Sequence, residues 1–231
     1  MSNLNITAVK PEKLCVQAVD LRLGDNVRAI VLDQLQNIGG DQVVAVVAGG
    51  AARDYWAATM YGLDLQGSGD IDICVLGFDV FDFESFDADC LLADVVNNLR
   101  AHGFNVDKAQ HHWNIEYEHQ QDRLALVMQM EVNGLDIDFL FYAPEIATLP
   151  EMFETFNSPL NKFALSSVVH DELIVENFGF CPKDPNYIYN APVGTDALME
   201  RADKMYQRWQ AVRAAHIGRA AHPYANIVEP V

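Results

Sequence analysis

The sequence predicts an α/β (α+β) fold: a mixed, mostly antiparallel sheet with helices packed on one side and a further helix at the C-terminal end. Three observations carry this. Short runs rich in β-branched and aromatic residues (43–48, 70–76, 123–132 and 135–142) alternate with segments whose apolar residues recur at helical spacing. Two of those runs are joined by Asn133-Gly134, the pair preferred in a type I′ turn, which makes them an antiparallel hairpin. Half of the 231 residues are apolar, enough for a sizeable core and too many for global disorder.

Taken in order, Met1 to Leu23 reads as a lead segment broken at Pro11. Asp25-Asn26 offers an N-cap to a helix carrying Val27, Ile30, Val31, Leu35 and Ile38, which Gly39-Gly40 ends. The strand Val43 to Ala48 runs into Gly49-Gly50, and a helix over Ala51 to Met60 follows. A polar glycine loop, Leu65 to Gly69, delivers the chain to the strand Asp70 to Leu76. From Asp79 to Asp94 the chain is acidic and aromatic, with Asp82, Glu84, Phe81, Phe83 and Phe86 among its residues. It lacks the ligand order of a calcium loop and reads as a loop entering an acidic helix start. Leu91, Leu92, Val95, Val96 and Leu99 face the core until Gly103 stops that helix. His111 and His112 are adjacent in a polar interval and, in a strand, point to opposite faces, which argues against a joint metal site. In the hairpin Val132 faces Leu135, Glu131 faces Asp136 and Gln129 faces Asp138. Leu135, Ile137, Phe139 and Phe141 line one face, and Asp136 and Asp138 share the other. A last helix, Thr195 to Ala215, buries Leu198, Ala202, Met205, Trp209 and Val212, leaving Gly218 to Val231 as a poorly packed tail.

The chemistry gathers around residues 43–76. Two glycines closing an apolar strand let a backbone approach an anion, and the helix that follows aims its unpaired N–H groups the same way. Asp70 and Asp72, at i and i+2 in an otherwise apolar strand, leave one face together. Side by side they repel, and burial drives one toward protonation. A divalent cation relieves both problems, and the spacing suits two oxygen-ligated ions about 3.5–4 Å apart, the arrangement that serves phosphoryl chemistry.

The string Ala48-Gly49-Gly50-Ala51-Ala52-Arg53-Asp54, followed by Gly69-Asp70-Ile71-Asp72-Ile73, resembles the head domain of the DNA polymerase β nucleotidyltransferase superfamily. It is most similar to the branch of bacterial poly(A) polymerases and CCA-adding enzymes, whose signature is G-G-x-V-R-D, a spacer and D-x-D. Gly49, Gly50, Arg53, Asp54, Asp70 and Asp72 match; Ala52 stands where that family has Val. The resemblance implies a nucleotidyltransferase-like sheet, a glycine loop that holds NTP phosphates, and aspartates that carry Mg²⁺ (or Mn²⁺). It also implies a third carboxylate, in a G-x-x-x-D-h context. Here that is Gly134 to Phe139, with Asp138 the choice and Asp136, nearer the turn, the fallback. Residues 158–164 and 172–179 resemble later family motifs loosely, with Asn161 and Phe178-Gly179 the fitting positions. Thr155 and Phe156 occupy the place of a family arginine pair.

An active member needs cations beyond its metal to stabilise the leaving pyrophosphate. Arg201, Lys204 and Arg208, at i, i+3 and i+7 of the last helix, are expected to turn toward the metal site and replace the missing pair. The expected division is a nucleotidyltransferase-like domain over 1–190 and a helical appendage and tail over 191–231. No second domain of the kind that clamps tRNA is recognisable. The expected activity is two-metal transfer of a nucleoside monophosphate from an NTP to an acceptor hydroxyl, on an RNA 3′ end, a protein or a small molecule. The missing arginines keep a second expectation open: an inactive descendant acting as an acidic binding module.

A net charge of −18 opposes unaided gathering of RNA, and no Lys or Arg lies between Arg53 and Arg100. Cys15, Cys74, Cys90 and Cys181 are scattered without a C-x-x-C pair, as in a reduced cytoplasmic protein. No signal peptide opens the chain, and no apolar stretch reaches the ~20 residues of a membrane span.

Overall fold

The structure, a computed structural model, describes residues 4–67, 69–80, 87–113, 123–169, 172–189 and 196–221. Strand β1 (Thr7–Ala8) leads to helix α1 (Pro11–Gly39), strand β2 (Val44–Ala48), helix α2 (Gly50–Tyr61), strand β3 (Leu63–Asp64) and strand β4 (Ile71–Leu76). Helix α3 (Ala88–Ala101) precedes strands β5 (Val106–Trp113), β6 (Leu124–Val132) and β7 (Leu135–Tyr142). Helix α4 (Leu149–Glu154), a 3-10 turn (Pro159–Asn161), strands β8 (Phe163–Val169) and β9 (Glu172–Asn177) and helix α5 (Asp196–Ala221) complete the chain.

Seven strands form one sheet in the order β5-β6-β7-β4-β2-β8-β9, while β1 pairs with β3. Every pairing in the large sheet is antiparallel except β4 with β7, so the fold is mixed and mostly antiparallel. The hairpin register joins Val132 to Leu135, Glu131 to Asp136 and Gln129 to Asp138. Asn133 and Gly134 both take positive φ, 51° and 83°, as a type I′ turn demands.

Burial follows the two-residue period of the strands. On one face Ile71, Ile73 and Val75 of β4 and Ile137, Phe139 and Phe141 of β7 meet α1 and α3. On the other, Cys74, Leu76, Val127 and Tyr142 pack under Met152 and Phe153 of α4. A third cluster ties α5 to α2, with Met205, Trp209 and Val212 against Ala52, Ala57, Leu160 and Phe163.

Two expectations change. The chain is not broken at Pro11, which instead opens α1 at the N-terminal position where its missing N–H and fixed φ cost nothing. The expected cap, Asp25, lies inside that helix and pairs with Arg28 at 2.7 Å. Gly24 fits this helix because α1 presses on β4 there: a Cβ would stand 2.7 Å from Ile71 Cγ2. Second, α5 continues through Gly218 to Ala221, so no tail starts at Gly218. The polar interval around His111 belongs to a full edge strand, β5. Residues 81–86, the Leu198 side chain and residues 222–231, on which other expectations fall, lie outside the described residues.

Candidate active site

Strand pairing brings the acids together. In the parallel pair Asp72 lies opposite Asp138, while Asp70 precedes β4 by one residue. Each of Asp70, Asp72 and Asp138 offers a carboxylate oxygen within 4.8 Å of the others. Asp136 pairs with Glu131 nearer the turn and is exposed. Asp72 is partly exposed and lines a cavity. Burial, then the charges of Asp70 and Asp138, push its pKa up to about 7, against the opposing pull of Arg201 and Arg123. Asp138 is raised as well, by burial first, while a hydrogen bond from Gln129 counteracts.

Next to the acids the backbone turns sharply. Gly49 caps α2 with φ 81°, and a Cβ on it would stand 3.0 Å from Asp72 Oδ2. Its own N–H is spent on the Phe163 carbonyl at 2.9 Å, and no side chain caps the helix. The first turn of α2, beginning at Gly50, therefore presents donors to the space beside the triad.

These groups share a cavity of about 630 Å³, a size suited to a nucleotide. Gly49, Gly50 and Arg53 line it from α2, and Arg201, Lys204 and Arg208 from α5. Asn161 lines it too; Asp54 does not. The cations are not equivalent. Arg53 is buried: its Nε and Nη2 meet Asp54 Oδ1 at 2.7 and 2.6 Å, and Nη1 donates to Asn161 Oδ1 at 2.6 Å and to Met205 Sδ at 3.6 Å. Arg208 donates to the carbonyls of Leu65 (3.0 Å) and Gln66 (2.7 Å), and burial, with Arg53 nearby, lowers its pKa to about 10. Lys204 pairs with Glu200 at 2.9 Å.

Arg123, to which the sequence assigned no role, also lines the cavity. Its Nη1 donates to the Thr155 carbonyl at 2.9 Å, and its guanidinium lies 5.9 Å from the centre of the Phe156 ring. A cation thus comes from the start of β6 to the very residues that stand in place of an arginine pair. No local pattern marks it, because the contact spans 32 residues. Gln129 is the other residue without a forecast role, although its position opposite Asp138 follows from the hairpin register. His111 Nε2 meets Asp89 at 3.0 Å, whereas the charge of His112 acts on Asp138.

No protein-family model matches the chain, and no curated protein matches it. Among solved structures it is similar to a tRNA-processing enzyme in an apo form, with 19% identity and a TM-score of 0.38. That likeness covers 74% of this chain and 34% of the other. It is also similar to terminal uridylyl transferase 4 from Trypanosoma brucei with bound UPU, with 18% identity and a TM-score of 0.27. There 62% of this chain and 44% of the other are covered, so the chain spans less than half the length of either.

Proposed function

We propose that this chain is a metal-dependent nucleotidyltransferase, moving a nucleoside monophosphate from an NTP to an acceptor hydroxyl on an RNA 3′ end, a protein or a small molecule. The observation that supports this most is the triad itself, three carboxylates within 4.8 Å at the edge of a nucleotide-sized cavity. Acids so close, one raised to about 7 by burial and its neighbours, fit a hard divalent cation such as Mg²⁺ or Mn²⁺. Asp70, Asp72 and Asp138 would hold it. When bound, such ions neutralise the phosphate charge and activate the attacking oxygen.

The rest falls to the chain. The open first turn of α2 and the glycine pair receive the triphosphate, because donors there point outward and no Cβ intervenes. Arg123 and Arg201, whose charges reach Asp72 from different elements, stabilise the negative charge that develops on the leaving pyrophosphate, with Lys204 beside them. Arg53, Asn161 and Arg208 build the frame of that pocket and touch nucleotide secondarily, since their polar atoms are already engaged, while Asp54 acts from behind by holding Arg53. Asp138, on the β7 side of the triad, takes the acceptor hydroxyl's proton.

The test is to incubate the protein with each α-labelled NTP, Mg²⁺ or Mn²⁺ and a cell lysate, and then to separate RNA, protein and small molecules. Label should appear in one fraction with the wild type, and Asp72→Ala should lose roughly 10²–10⁴ in rate. Nucleotide binding without transfer to any fraction would replace this reading with that of a non-catalytic nucleotide-binding protein, which Thr155 and Phe156 in place of arginines favour.

A further inference from the structure

A single row of aligned residues crosses the sheet through the triad. Gln110 of β5 is in register with Gln129 of β6, Gln129 with Asp138 of β7, and Asp138 with Asp72 of β4. Partners directly opposite on neighbouring strands project from the same face, so all four side chains share the cavity side. Hydrogen bonds follow the row. Gln110 Nε2 donates to Gln129 Oε1 at 3.2 Å, and Gln129 Nε2 donates to Asp138 Oδ2 at 2.9 Å.

The direction of this relay is dictated by chemistry. An ionised carboxylate only accepts, so Gln129 must present its NH₂ to Asp138. Its carbonyl oxygen then faces the sheet edge, where the Gln110 amide donates to it. The Gln129 amide is thereby fixed in one orientation. Asp138 in turn has one oxygen engaged by a neutral donor, and a carboxylate so engaged keeps acceptor capacity for a cation. Gln129 is half-buried, whereas its chain neighbours Met128 and Met130 are buried on the opposite face of the sheet.

We infer that Gln129, backed by Gln110, is a positioning residue that aims the Asp138 carboxylate at Asp70 and Asp72 and so sets the affinity of the triad for its divalent cation. The inference rests on the metal-site reading of the triad. It adds two residues from two further strands to the machinery, neither of which touches substrate or metal.

Direct titration of the full chain with Mn²⁺ alone, following free Mn²⁺ by electron paramagnetic resonance, tests it without reference to turnover. Gln129→Leu removes the donor at similar volume, and Gln129→Asn keeps the amide but shortens its reach. Both should weaken Mn²⁺ binding by about 10–100-fold, the usual effect of losing an outer partner of a metal ligand, with an unchanged melting temperature in the absence of metal. Gln110→Leu should weaken it less, because the Gln129 amide stays in place. Asp72→Asn serves as the reference. If it weakens Mn²⁺ binding while both Gln129 variants bind like the wild type, the positioning role is overturned and the metal site stands. If Asp72→Asn also binds like the wild type, the metal-site reading falls and this inference with it.

Discussion

Asp72 carries the most informative titration in the molecule. Its folded pKa, about 7, lies above the ordinary carboxylate value of 3.8. The folded state therefore holds that proton more tightly than the unfolded chain. The stability this contributes is complete below about pH 4 and is lost as pH rises through 7, roughly 4 kcal/mol in all for the metal-free protein. Urea denaturation of wild type against Asp72→Asn should show it: the asparagine variant gains on the wild type between pH 5 and pH 8, by about 2–3 kcal/mol of that total. Mg²⁺ should raise the wild-type melting temperature more at pH 8 than at pH 5, since only the ionised triad binds it. Equal Mg²⁺ effects at both pH values would contradict a metal held by Asp72. Gly67 offers a second residue-scale check. A Cβ there would overlap Asp54 Oδ2, so Gly67→Ala must displace the carboxylate that holds Arg53. The expected cost is about 3 kcal/mol or more, because a buried ion pair loses its geometry, and chemical denaturation measures it.

Elements meet around the site through contacts that their own sequences do not announce. Helix α1 touches β4 at Gly24, and the helix-propensity gain of Gly24→Ala, about 1 kcal/mol, is opposed by overlap with the buried Ile71 between Asp70 and Asp72. Overpacking of this kind costs about 1–3 kcal/mol, so the variant should be net destabilised in urea; a stabilised variant would show that Ile71 can yield. Helix α5 is tied to the β3–β4 link by Arg208, which donates to the carbonyls of Leu65 and Gln66. Arg208→Ala removes charge-assisted bonds worth about 1.5–3 kcal/mol. Thermal melting should fall accordingly, and KM for the NTP should rise because Arg201 and Lys204 ride on the same helix. A rise in KM with an unchanged melting temperature would instead make Arg208 a direct phosphate ligand.

At the scale of the whole molecule the net charge of −18 governs what approaches. Self-repulsion weakens as salt screens it, so the metal-free protein should melt higher at about 0.15 M salt than at about 0.01 M, where the Debye length is about 30 Å. Duplex RNA alone should not be retained in a filter-binding assay near physiological salt. Tight retention there would mean that the cationic cavity wall outweighs the acidic whole. Among the described residues no helix is long and apolar enough to cross a membrane.

What the sequence determined by itself was local. Alternation of apolar residues set the strand faces, Asn133-Gly134 set the hairpin and its register, and the i, i+2 spacing put Asp70 and Asp72 on one side. Those features depend on neighbours a few residues apart, whose geometry the backbone period dictates. Pro11 reads two ways for the same reason, since a proline that ends one segment and a proline that opens a helix look alike until the following turn is known to pack. Only the tertiary structure decided that β4 lies parallel to β7, that Arg123 reaches Thr155, that Arg208 is engaged by carbonyls 142 and 143 residues away, and that two glutamines line up behind Asp138. Such pairings are chosen by which apolar faces can be buried together over the whole chain, and a local reading of residue types carries no record of that choice.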